Sequence, residues 1–306
     1  MGLQKEVWAA DIKEQLFPSD SWMVESEDDS VFSDGKKVHR AVAGSLPGSA
    51  RNRQTVPAQI NRRTDQDTEY ELDEFTTDPT LIQDIEEVEV NYQKRQSVLR
   101  QHTRQLNSDL AKWMAYNWAP EGSSAYIRTS GADRAALGTQ FGATGNRKRI
   151  NVADIFKAAQ LFDDMEVPEE GRNILIPTGM YYDLVEAHWQ DMLQLQAEGK
   201  AVLANGEVMK LFGFKLYKRS AKNLLTYTNA ATPVLRAPDA SPLNTVNAAA
   251  LCWHRNFVTR AKGDIKVFEN IDDATMYGSV FSALARAGGR HYYPDFTGVA
   301  AIIETT

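Results

Sequence analysis

The sixty residues 21–80 are poor in large apolar side chains, and this constrains the fold more than any other feature of the sequence. A stretch of that length with so little to bury cannot close a core of its own. Trp22-Met23-Val24 and Ser30-Val31-Phe32 read as short strands, and Asp34-Gly35 is a turn signal. A basic run follows, Lys36-Lys37-Val38-His39-Arg40-Ala41-Val42, then a flexible tip, 44–50, ending in Arg51-Asn52-Arg53. The return is acidic and alternating. Thr68, Tyr70 and Leu72 share one face, and Glu69, Glu71 and Asp73 the other. A basic outgoing strand opposite an acidic returning one contributes about 0.2–1 kcal/mol per opposed pair. The spacing predicts an extended hairpin arm over 22–78, with a disordered loop as the competing reading.

On its N-terminal side, Leu3, Val7, Trp8, Ile12 and Leu16 fall at helical spacing, closed by Phe17-Pro18-Ser19-Asp20. An isolated helix of about four turns is marginal, so its stripe must dock elsewhere. On the other side, residues 79–117 carry Leu81, Ile85, Val88, Tyr92, Leu99, Leu106, Leu110 and Trp113 on one stripe, with no glycine. The opposite face is polar, with Glu86, Glu87, Lys94, Arg95, Arg100 and Arg104. The spacing predicts one helix of 39 residues, about 58 Å long at 1.5 Å per residue, with a coiled coil as the alternative.

Further along, Asn151-Val152-Ala153-Asp154 has the form of a capping box opening a helix through Met165, with Ile155, Phe156, Ala159 and Phe162 inward. Asn173-Ile174-Leu175-Ile176 reads as a short buried strand, residues 180–196 as a helix and 211–217 as another strand. The last part is β-rich. Residues 264–268 form a strand, and 274–287 a long one that turns at Gly288-Gly289 and returns through 292–303 as an antiparallel partner.

The search for chemistry returns little. A formal charge of −7 and a pI near 5.4 argue against coating nucleic acid by charge alone. No apolar run approaches the ~20 residues of a membrane span, and the start lacks both a signal-peptide core and a myristoylation pattern. The single cysteine, Cys252, excludes an intrachain disulfide and lies in an apolar stretch as a buried small hydrophobe. After the glycines of 138–145 stand Asn146-Arg147-Lys148, where a phosphate loop needs a lysine followed by a hydroxyl. Gly-x-Ser-x-Gly is absent. His39, His102, His188, His254 and His291 are scattered, and the acidic clusters lack calcium-loop spacing. No catalytic, cofactor or metal constellation is expected. Two readings stay open beside this: an α/β enzyme using Asp183, His188 or Asp191, and a DNA-binding module using Arg147, Lys148 and Arg149.

The order of elements says more than any motif. Thr77-Asp78-Pro79 through Trp113 looks like the hairpin exit and spine helix of the tailed-bacteriophage major capsid proteins of the Hong Kong 97 fold. Asn173-Ile174-Leu175-Ile176-Pro177-Thr178-Gly179-Met180-Tyr181-Tyr182-Asp183-Leu184 is similar to the strand and helix of their axial domain. The run from Gly206-Glu207-Val208 to Gly213-Phe214-Lys215-Leu216-Tyr217 resembles a recurrent strand approach, with Leu216 where valine is usual. Residues 248–258 resemble the segment leading back to the peripheral domain, and Gly298-Val299-Ala300-Ala301-Ile302-Ile303 the terminal strand.

The resemblance spans nearly the whole chain and implies an α+β subunit with an N-terminal arm (1–21) and an extended β-hairpin loop (22–78). It also implies a peripheral domain with the spine helix (79–120 and 255–306) and an axial domain (121–254). It further implies assembly with other copies of itself into pentamers and hexamers around double-stranded DNA, without sequence-specific binding. A separate scaffolding protein, a portal and other virion proteins are implied as partners, with no membrane and no cofactor. The location implied is the virion capsid, after synthesis in the host bacterial cytoplasm. A cellular nanocompartment shell of the same fold is the nearest alternative. Candidate subunit contacts are Trp8 and Ile12 on the N-terminal stripe, Arg51, Arg53, Arg62 and Arg63 on the arm, and Glu86, Glu87 and Glu89 on the helix.

Overall fold

The computed structural model describes residues 21–306, except 35, 43, 45–47, 55, 58–59, 61, 64, 84–92, 123–124, 188–209, 221–224 and 274. One five-stranded sheet is built on a long antiparallel hairpin, Val258–Asp273 with Gly278–His291. The reversal lies at 273–278. There Asp273 Oδ1 accepts the Thr275 N–H at 2.8 Å, and the Asp273 carbonyl accepts the Tyr277 N–H at 2.8 Å. The outer edge of Gly278–His291 carries Asp73–Thr76 and Thr80–Gln83, and Glu27–Asp28 runs parallel to the start of Val258–Asp273.

This corrects the expected Gly288-Gly289 turn. Both glycines lie inside a strand, opposite Ala261 and Arg260. A Cβ on Gly289 would sit 2.4 Å from Met114 Sδ, 2.4 Å from the Thr259 carbonyl oxygen and 2.9 Å from Trp118 Nε1. One on Gly288 would sit 2.9 Å from the Glu71 carbonyl oxygen and 3.1 Å from Leu72 Cδ2. The pair is bare because the sheet is approached on both faces, by a helix on one and by the base of the hairpin arm on the other.

The helix is shorter than its pattern suggests. Residues 80–83 are a strand with Ile82 inward and Leu81 outward, and the described helix is Gln93–Trp118, 26 residues or about 39 Å. Its buried apolar positions form two adjacent rows at steps of four, Leu106, Leu110, Met114 and Trp118 with Ala111 and Ala115, and lie against the glycine-lined strand and the second sheet.

The second sheet has eight strands around Val246–His254, in which every residue is buried. Arg172–Pro177 and Leu225–Thr228 share one of its edges, and Val299–Ile303 takes the other. Phe214–Arg219 extends the sheet in parallel beyond Arg172–Pro177, and Tyr126–Arg128 does so beyond Val299–Ile303. The terminal strand thus belongs to this sheet and does not return along 274–287. The strand expected over 211–217 is a tight hairpin, Lys210–Leu211 with Phe214–Arg219, reversing at Phe212 and Gly213, both at positive φ. Helices Val152–Asp164 and Thr178–Ala187 bury Ile155, Phe162, Met180 and Leu184 in the same cluster as the sheet's Ile174, Ala250 and Cys252. The capping box forms, with Asp154 accepting the Asn151 N–H at 3.0 Å. Phe156, expected inward, is 55% exposed.

Three tryptophans join the sheets. Trp22 lies edge-on to Trp118 and Trp253 at 5.5 and 5.9 Å, and Trp118 and Trp253 are 5.7 Å apart. The expected strands at 22–24 and 30–32 are instead one helical turn, Ser21–Val24, and a 3-10 turn, Ser30–Phe32. Arg260 fixes this strap by donating to the carbonyl oxygens of Met23, Val24 and Ser26 at 2.9–3.1 Å. Backbone groups that would pair within a strand are served by one guanidinium instead.

Candidate assembly surfaces

The hairpin arm forms as its alternation requires. Lys37–Val42 pairs antiparallel with Gln66–Glu71, placing Lys37 opposite Glu71 and Val38 opposite Tyr70. Lys37 bonds Glu69, which holds that carboxylate below its usual range, and lies 3.7 Å from Glu71. The base of the arm is tied to the body twice. Val38 and Leu72 bury against Ala261. Arg40 bonds Asp29 and, at 2.7 Å, Glu27, while Tyr292 Oη donates to Glu27 at 2.7 Å. Burial pushes the Asp29 carboxyl up despite Arg40, and pushes the Tyr292 hydroxyl up as well.

Beyond this base, none of the described residues of the arm is buried. Val56 is 83% and Ile60 95% exposed, which large apolar groups adopt at a cost unless another surface covers them. Arg51, Arg53, Arg62 and Arg63 are all exposed. Arg63 pairs with Asp65 at 2.6 Å, and Asp65 also accepts the Gly44 N–H at 3.0 Å, so this charge is met within the arm. Arg51, Arg53 and Arg62 have no ion pair among the described residues. Trp8, Ile12, Glu86, Glu87 and Glu89 lie outside the described residues, as do His188 and Asp191.

Of the residues in the competing readings, Asp183, Arg147 and Arg149 are engaged within the chain. Asp183 is buried and bonded by Arg134 Nε at 2.6 Å, with Arg134 also reaching the buried Glu304 at 2.5 Å. Burial raises the Glu304 carboxyl. Arg147 is 4% exposed and donates to Asn247 Oδ1 at 2.6 Å, so its charge cannot reach a phosphate, and Arg149 pairs with Glu186 at 2.6 Å. Cys252 is buried, and desolvation pushes its thiol far up.

Two surfaces escape the sequence reading. The tip of the long hairpin exposes Phe268, Ile271, Met276 and Tyr277. A polar recess of about 400 Å³ opens between residues 76–80 and the helix, lined by Asp78, Thr80, Gln101, His102, Gln105 and Asp109 among others. His102 is 7% exposed, its enclosed Nε2 has no hydrogen-bond partner among the described residues, and burial holds its pKa below the usual value. The helical spacing of 101, 105 and 109 signals one face, but nothing in the sequence shows that Asp78 stands across from it.

No family model and no curated protein matches the sequence. Solved structures do match. The capsid of Ralstonia phage GP4 aligns at TM-score 0.65 and 12% identity over 92% of this chain and 87% of that one. The capsid of cyanophage P-SCSP1u aligns at 0.59 and 21% identity over 91% and 85%. The chain is folded as phage capsid proteins are. A virus-like particle from Pyrococcus furiosus also aligns, at 0.57 and 10% identity over 98% and 99%. At these identities the likeness is one of fold, and at that level the expected α+β class and the resemblance to tailed-phage capsid proteins are met.

Proposed function

We propose that this chain is the major capsid protein of a tailed bacteriophage, assembling with its own copies into a closed shell of pentamers and hexamers around double-stranded DNA. The observation that carries the reading is the likeness to phage capsid proteins over about nine tenths of this chain, and the arm agrees with it. A segment with three arginines that have no ion pair among the described residues, and with two nearly bare apolar side chains, finds its burial on another molecule, and repeated contacts of that type generate shells.

In this reading residues 1–21 are the N-terminal arm, 22–78 the extended loop, 79–120 and 255–306 the peripheral domain with Gln93–Trp118 as spine helix, and 121–254 the axial domain. The terminal strand would then tie the peripheral part to the axial sheet. A scaffolding protein and a portal are the further partners, and the protein is made in the bacterial cytoplasm before entering the virion. A second reading, a cellular nanocompartment shell, is favoured by the full-length likeness to the Pyrococcus furiosus particle. Nucleic acid inside particles from the natural source supports the first, and a protein cargo the second. Deleting residues 44–53 tests the shell role of the arm. The variant unfolds as cooperatively as the full chain but forms no shells, and loss of cooperative unfolding refutes the assignment of that segment to an external contact.

A further inference from the structure

Residues 22–29 hold both sheets at once. Toward the eight-stranded sheet, Trp22 packs on Trp253, and Arg219 lies over the Trp22 ring at 5.4 Å. The Glu25 carbonyl oxygen accepts the Trp253 Nε1–H at 2.7 Å, and its carboxylate accepts from Lys215 at 2.7 Å and Tyr217 at 3.0 Å on the same sheet. Toward the five-stranded sheet, Arg260 donates to the carbonyl oxygens of Met23, Val24 and Ser26, and its own carbonyl accepts the Asp29 N–H at 2.8 Å.

The chain passes directly from strand to strand between the sheets at two neighbouring places. The 3-10 turn Arg255–Phe257 leads from Val246–His254 into Val258–Asp273, and residues 292–298 lead from Gly278–His291 into Val299–Ile303. These crossings lie side by side. The Phe257 carbonyl accepts the Tyr292 N–H at 2.9 Å, and the Gly298 carbonyl accepts the His254 N–H at 2.9 Å. Gly298 is at positive φ, and a Cβ there would lie 2.4 Å from the Phe257 ring. Two short crossings that touch at a glycine have the form of a hinge, where a few residues at element ends absorb a rotation. The strap spans them. We propose that Trp22–Asp29 is a clasp that fixes the angle between the two sheets, and that the sheets turn about residues 255–257 and 292–298 when it is undone. The clasp is continuous with the stripe of Leu3, Val7, Trp8, Ile12 and Leu16, so a surface that takes up that stripe bears directly on the angle. It acts within one copy, so its failure leaves the shell reading standing.

The test is double electron–electron resonance on the unassembled full chain. Spin labels on Gln160→Cys and Lys266→Cys follow the angle, and labels on Gln160→Cys and Asp239→Cys follow the eight-stranded side alone. All three positions are exposed, and the native Cys252 is buried. Trp22→Leu with Glu25→Gln frees the clasp from the eight-stranded sheet, and Arg260→Gln frees it from the five-stranded one. Each cut broadens the 160–266 distance distribution and moves its mean, while the 160–239 distribution keeps its original form. Both cuts together do no more than either alone, because a clasp undone at one end is undone. An unchanged 160–266 distribution in variants that still unfold cooperatively overturns the inference. So does a 160–239 distribution that moves equally, or a combined effect equal to the sum of the two. Loss of cooperative unfolding in both cuts overturns it as well, since residues 22–29 would then belong to the core and not to a releasable clasp.

Discussion

Replacing Gly289 with alanine puts a methyl group where the long helix crosses the sheet. The added carbon would lie 2.4 Å from Met114 Sδ and 2.4 Å from the Thr259 carbonyl oxygen. Met114 can swing aside, but the Thr259 carbonyl is held in the ladder with Gly278–His291, so the strand must shift, and Trp118, 2.9 Å from the added carbon, must lift with the helix. Forcing a methyl into a filled contact costs about 1–3 kcal/mol. The lift also stretches the bond from Trp118 Nε1 to that same carbonyl, 2.8 Å long, worth about 0.5–1.5 kcal/mol. Alanine recovers about 0.4–1 kcal/mol by stiffening the unfolded chain. The balance is a loss centred on about 2 kcal/mol and spanning about 0.5–4 kcal/mol, read from urea unfolding of the unassembled chain followed by tryptophan fluorescence. Gly48→Ala, which meets nothing within 4 Å, is the control and should lie within about 0.5 kcal/mol of the original. If Gly289→Ala is as stable as the control, the glycine pair is not the seat of the helix and the packing argument fails.

Three further outcomes are expected, the first from the N-terminal sequence pattern and the others from the structure. Trp8→Ala weakens assembled shells more than it destabilises the isolated subunit; equal, strong hydrogen-exchange protection of residues 3–16 before and after assembly contradicts this. Burial works to raise the Glu25 carboxyl, but the bonds from Lys215 at 2.7 Å and Tyr217 at 3.0 Å outweigh it, and its pKa is lowered. Its contribution is therefore full above the ordinary carboxylate range and lost as pH falls through the lowered value. Glu25→Gln destabilises at neutral pH by less than about 1 kcal/mol and the gap closes in acid, and a gap that widens in acid reverses the assignment. Arg→Glu exchange at Arg51, Arg53 and Arg62 lowers assembly yield, and so does high salt; a yield indifferent to both removes charge from the contact.

Features that depend on neighbouring residues were legible in the sequence. The alternation of Tyr70 and Leu72 against Glu69 and Glu71 gives the arm its ladder, and Asn151 with Asp154 fixes a helix start. The apolar run around Cys252 is the buried central strand. What failed depends on distant partners. Gly-Gly has one signature whether it turns a chain or admits a helix, and only Met114 and Trp118, far along the chain, distinguish the two. Leu81 suits a helical stripe, yet residues 80–83 pair with 278–281 and bury Ile82 instead. Trp22 resembles a strand residue until Trp118 and Trp253 surround it. The arm arginines were legible as exposed charge, whereas the recess was not, because Asp78 and His102 meet only through the fold.

Electron microscopy of the purified chain, concentrated alone and with a scaffolding partner, tests the central claim most directly. The account predicts closed particles whose surface resolves into pentameric and hexameric clusters of the 306-residue subunit. A chain that stays monomeric in both conditions, with its arm intact and its core folded, would contradict it.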